Sequence, residues 1–203
     1  MIRRLLSVIH YGDLLVTLRA QTEPYEINKG ETEAMQEKWI GRLRELFLQD
    51  KGWHGREVKA NMPKIAADFA SVPVKRVEKI KVGVVGEIYV KYSPLGNNDL
   101  EKFLASQDCE VNIPGLMGFV QYCVYNFSET ARLYGGNVLT LNASSLLLNI
   151  IGKTEKVMID SLKANGYHAP MPFLELVKQA DGVISTGTKM GEGWLLTAEM
   201  VER

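Results

Sequence analysis

The chain has little cysteine, only Cys109 and Cys123 among its 203 residues. With no CxxC and no paired histidines nearby, these two cannot by themselves assemble a zinc site or an iron–sulfur cluster. They read as buried thiols of a reducing compartment. An excess of charge is also lacking: Lys+Arg and Asp+Glu stand at 24 each, so no global field attracts nucleic acid or an anionic membrane. No apolar run reaches the roughly 18–20 residues that span a bilayer. The N-terminal "MIRRLLSVIHYGDLLVTLRA" starts like a signal peptide, but His10, Asp13 and Arg19 interrupt it at helical intervals and no small-residue cleavage site follows. The expectation is a cytoplasmic protein with no nucleic-acid or membrane partner. His10, His54 and His168 are isolated, so no Ser/His/Asp or Cys/His arrangement can be built on them.

What is present is an ordinary globular composition with a change of character along the chain. Leu5, Leu6, Ile9, Leu14, Leu15 and Leu18 make one face of a first helix, which stops before "QTEPYEINKG". In that loop Tyr25 is expected to pack inward and Glu26 to pair with a surface lysine. A second helix is predicted over 31–50, with Met35, Trp39, Leu43, Leu46 and Phe47 as its stripe, and a third over 62–70. "SVPVKRVEK" reads as a polar linker.

From residue 80 the β-branched run "IKVGVVGEI" reads as a buried parallel strand, "NNDLEKFLASQ" as a capped helix and "CEVNIPG" as a second strand. A long helix over 116–133 follows. "NVLTLNASSLLLNIIGK" fits a helix, or a strand and a helix. "EKVMIDSLKANG" and "PFLELVKQADG" read as two more helices, "DGVISTG" as a third core strand and "EGWLLTAEMVE" as a last helix. The fold class so derived is α/β: a domain with a parallel sheet over 76–203. A helical N-terminal segment over 1–75 packs on it.

In open α/β sheets, ligands bind beyond the carboxyl ends of strands, over helix N-termini. Two segments fall there, "GEIYVKYSPLGNN" and "STGTKMGEGW". Glu87, Lys91, Ser93, Asn97 and Asn98 in the first, with Gly187, Gly191 and Glu192 in the second, form the candidate cofactor-binding set. Backbone N–H groups and neutral side chains there suit an anionic ligand, although neither segment matches a dinucleotide or P-loop pattern. Glu87 and Glu192 are the carboxylates that general acid–base chemistry would use. No catalytic residue and no metal ligand can be assigned.

"KVGVVGEIYVKYSPLGNNDLEKFL" (81–104), "NIPGLMGF" (112–119) and "GVISTGTKMGEGWLLTAEMVE" (182–202) resemble the 2-hydroxyacyl-CoA dehydratase and benzoyl-CoA reductase family. The likeness is nearest to the dehydratase-like region of the long CoA-substrate-specific enzyme activases, the activators of 2-hydroxyglutaryl-CoA dehydratase. "LRAQTEPYEINKGETEAMQEKW" is similar to the helical segment that precedes it. The resemblance implies a three-layer Rossmann-like α/β domain, truncated at its C-terminus, that is accessory in an ATP-driven iron–sulfur electron-transfer system of anaerobic metabolism acting on acyl-CoA. The implied partners are other domains or subunits of that system, with acyl-CoA or a nucleotide as the ligand class. It also implies an iron–sulfur cluster carried elsewhere in a longer protein, of which this chain is a fragment inactive on its own as a lyase. The alternative is a protein-interaction scaffold with no small-molecule ligand.

Overall fold

The computed structural model describes residues 1–202, and helices dominate them. The expected three-layer Rossmann-like α/β architecture is not what these residues build. Two strands occur, β1 (Lys81–Gly83) and β2 (Glu110–Asn112), paired in parallel as a two-stranded sheet. The first β-branched run is cut short because the Glu87 carboxylate accepts the Tyr89 N–H at 3.0 Å and starts a helix at Ile88. The third expected strand is a turn. Val183 and Ile184 both donate their N–H to the Ala180 carbonyl, and Gly182 sits at φ 76. Apolar, β-branched composition alone does not make a strand where no partner edge is offered.

The chain divides into two compact units, each assembled from separate stretches. The first comprises Met1–Val82, Glu101–Asn112 and Thr154–Ala169. Helix α1 (Ile2–Thr22) turns Tyr11, Leu14, Leu15 and Leu18 into its core. Against them lie Trp39 and Leu43 of α2 (Glu31–Leu48), and Met62, Ile65 and Phe69 of α3 (Gly55–Ala70). Each such side chain contributes about 1.5–3 kcal/mol by leaving water.

The boundaries of these helices follow local chemistry. Helix α3 begins earlier than its apolar stripe because Glu57 Oε2 accepts the backbone N–H of Gly52 at 2.8 Å and of His54 at 3.1 Å. Glu26 feels the charge of Lys29, but its main partners are backbone groups. Its two carboxylate oxygens accept the N–H groups of Gly30 (2.8 Å) and Thr32 (2.9 Å), closing the start of α2. Residues 71–79 are tied down, since Lys75 donates to the Tyr25 carbonyl and Ile27 to that of Pro73.

The second unit comprises Gly83–Leu100, Ile113–Lys153 and the chain from Pro170 onward. It holds the short helices α4 (Ile88–Tyr92) and α5 (Pro94–Asn97), then α7 (Leu116–Tyr134), α9 (Phe173–Lys178) and α10 (Gly193–Glu202). Helix α6 (Leu100–Ser106) belongs almost wholly to the first unit. "NVLTLNASSLLLNIIGK" and "EKVMIDSLKANG" join into one helix, α8 (Val138–Ala164), which runs through Gly152 without a break and ends before Gly166, where the backbone turns left-handed at φ 78. The second core is aromatic. Trp194 lies 5.2 Å from Tyr122 and 5.4 Å from Tyr125, ring centre to ring centre, with Phe173, Leu176, Leu195 and Ala198 around them.

Candidate functional site

Both segments singled out in the sequence fall within the second unit, and the fold brings them together. Glu87 and Ser93 each cap a short helix, through the N–H of Tyr89 and of Gly96. Asn97 is held at both ends of its amide. Its Nδ2 donates to the Val90 carbonyl at 2.9 Å, and its Oδ1 accepts the Leu100 N–H at 3.3 Å. Asn98 supplies the left-handed turn, at φ 55, that ends α5. From the other segment Glu192 reaches across, and its Oε1 accepts the Ile88 N–H at 2.8 Å. Its Oε2 is buried with no hydrogen-bond partner.

Lys91 does not face a ligand. It is 2% exposed, and its ammonium stands 3.3 Å from each carboxylate oxygen of Glu199 on α10. Glu199 is itself 1% exposed. The sequence does carry a signal for this partner: a single acid on the face of α10 shared by Trp194, Leu195 and Ala198. A charge in such a stripe needs a buried counter-charge.

The segment 185–193 is anchored on α7. Thr186 donates its hydroxyl to Glu129 at 2.5 Å, and Arg132 holds the same carboxylate. The Arg132 hydrogen bond, with Thr186 adding to it and burial opposing, keeps the Glu129 carboxyl below the usual carboxylate range. Lys189 donates to the Thr130 hydroxyl and the Asn126 carbonyl. Tyr122 donates its hydroxyl to the Lys189 carbonyl at 3.0 Å. None of these α7 partners is marked by a sequence motif. They are polar residues at helical spacing on a helix whose other face is aromatic.

Gly187 and Gly191 serve the path of the backbone. Gly191 takes φ 57, and a Cβ on Gly187 would come within 3.2 Å of Leu133. The neighbouring Gly193 is more constrained still, since a Cβ there would sit 2.3 Å from the Thr188 carbonyl oxygen.

The chemistry this allows is limited. Burial and the Glu192 carboxylate push the Cys123 thiol up, away from the nucleophilic thiolate. Glu87 and Glu192 both bind backbone N–H groups at the start of α4, which is the chemistry of caps. Among the described residues no group of three or more His, Cys, Asp or Glu is placed to hold a metal ion. Cys109 and Cys123 are two thiols, too few to hold an iron–sulfur cluster, which the resemblance places elsewhere in a longer protein. Among the described residues no helix is long and apolar enough to cross a membrane. In comparisons with known proteins, no family model, no curated protein and no solved structure matches this chain.

Proposed function

We propose that the chain is an accessory, non-catalytic domain of a 2-hydroxyacyl-CoA dehydratase-type system, acting through protein contacts. The family part of this reading rests on the resemblance of residues 81–104, 112–119 and 182–202. The non-catalytic part rests on one observation. The polar side chains of both singled-out segments are engaged inside the second unit, as caps, anchors and the Lys91–Glu199 pair. Apolar side chains of the same segments stand in solvent instead, with Leu95 84% and Met190 92% exposed and Tyr89 and Val90 exposed beside them. Exposed apolar side chains on these segments suit a protein partner better than an anionic ligand.

The test is binding of the chain to the purified dehydratase and to its ATP-dependent activator, followed by size-exclusion chromatography under anaerobic conditions. A complex weakened by Leu95→Ser together with Met190→Ser is the expected result. Absence of any complex with either component overturns the reading. The scaffold alternative without a small-molecule ligand draws on the same engaged side chains. It is separated by calorimetric titration with CoA, acyl-CoA and ATP, where heat abolished by substitutions in 87–98 would reject it.

A further inference from the structure

The first unit carries a cleft of about 410 Å³ near the C-terminal end of α1. That volume is in the range of small-molecule sites. The segment 76–81 brings Arg76, Lys79 and Lys81 to its opening, with Glu78 and Glu110 as the acids of the lining.

Charge counting alone would nearly cancel these groups, with the exposed Glu78 among them, but the three cations differ in their partners. Glu110 is engaged on both oxygens: Oε2 accepts the Tyr25 hydroxyl at 2.5 Å, and Oε1 faces the Lys81 ammonium at 3.7 Å. Lys79 forms an ion pair with Asp108. Arg76 is different. It donates one N–H, from Nη1, to the Gln21 carbonyl at 2.8 Å, and its guanidinium lies over the Tyr25 ring at 4.6 Å. A guanidinium has five donors, so most of this fork remains open, and the ring beneath holds it in place.

The groups behind the fork are themselves hydrogen-bonded. Burial and the Glu110 carboxylate push the Tyr25 hydroxyl up to about 12, so it stays a donor across the physiological range. The Gln21 side chain clamps the facing loop, donating to the His168 carbonyl at 2.9 Å and accepting its N–H at 2.8 Å. A fixed guanidinium matches a multi-oxygen anion in bidentate fashion, and a neighbouring ammonium adds a movable point charge. Two cations against one ligand favour a group carrying more than one negative charge.

We propose that this cleft binds a phosphate-bearing small molecule, with Arg76 as the bidentate anchor and Lys81 as the second cation. The site lies within the first unit and stands independently of the function proposed above.

The experiment is titration of the whole chain with inorganic pyrophosphate, followed by calorimetry and by phosphorus NMR line width. Arg76→Gln and Lys81→Gln are each expected to weaken binding by about tenfold, equivalent to about 1.4 kcal/mol. Arg76→Lys, which keeps the charge but loses the fork, falls between Arg76→Gln and the unaltered chain. Lys64→Gln, an exposed cation of α3 outside the lining, is expected to leave binding unchanged. No binding by the unaltered chain up to about 10 mM, a limit of only a few kcal/mol, overturns the proposal. So does equal weakening by the Lys64 substitution, or unchanged binding in Lys81→Gln. The last variant alters a largely exposed side chain, so it reads out even if Arg76→Gln disturbs the fold.

Discussion

The Lys91 ammonium is equidistant, at 3.3 Å, from the two carboxylate oxygens of Glu199, and both side chains are out of reach of water. This pair fixes α4 against α10 within the second unit. Removing one charge leaves the other buried, which is far more destabilising than removing both. Lys91→Met is expected to lose about 3–5 kcal/mol in urea unfolding, with most of it recovered in the Lys91→Met, Glu199→Leu double variant. A single-variant loss below about 1 kcal/mol, the scale of exposed pairs, would show that the pair is solvated.

Gly193 is a second fixed point of that unit. The Thr188 carbonyl occupies the place of a Cβ there, so Gly193→Ala is expected to destabilise by more than about 2 kcal/mol. Gly12, on α1 with no atom within 4 Å of a built Cβ, gives the contrast. Gly12→Ala should stabilise by up to about 1 kcal/mol through helix propensity. Chemical denaturation of the two variants decides it, and equal effects would refute the account.

How much of this was legible in the sequence depends on whether the information is local. Helix α2 is readable because Met35, Trp39, Leu43, Leu46 and Phe47 repeat at helical spacing. "DGVISTG" reads as a strand because Val183 and Ile184 favour strands by composition, whereas strand formation needs a partner edge that no local pattern reveals. The candidate site divides in the same way. Glu87, Ser93 and Asn97 stand at a turn, as expected, but their hydrogen bonds close that turn. Glu129 carries no local signal because what defines it is the distant Thr186, and Glu199 is marked only as an acid in an apolar stripe, its partner Lys91 lying far away in the chain.

His10 gives a pH dependence with a definite sign. Its Nδ1 donates to the Leu6 carbonyl at 2.8 Å, while its buried Nε2 has no partner. Burial lowers its proton affinity, with the Leu6 hydrogen bond partly opposing. The unfolded chain takes up this proton near the ordinary histidine value of about 6.5, and the folded chain only at lower pH. Stability from this group is therefore complete above about pH 6.5 and declines as the pH falls below it. Thermal midpoints between about pH 7.5 and 5.5 should drop more in the unaltered chain than in His10→Leu. Parallel pH profiles would reject this assignment.

Glu26 acts in a lower window. Burial would raise its carboxyl, but the hydrogen bonds from Gly30 and Thr32 outweigh that and hold it below the usual range. Its contribution is present above the ordinary carboxylate value of about 4.3 and is lost as pH falls through the lower folded value. Glu26→Ala is expected to lose about 1–2 kcal/mol at neutral pH, the worth of a helix cap. The loss should shrink in acid. Urea unfolding at about pH 7 and pH 3 tests this, and a loss that stays constant with pH would contradict it.

The chain passes from one unit to the other after residues 82, 100, 112, 153 and 169. No single cut of the polypeptide can therefore release either unit whole, and any terminal deletion long enough to remove one of them takes material from its neighbour. Neither unit can be inherited, duplicated or grafted as one continuous exon-like block. A crossover between residues 83 and 169 would mix both cores at once, whereas one nearer either end of the chain would mix only one of them.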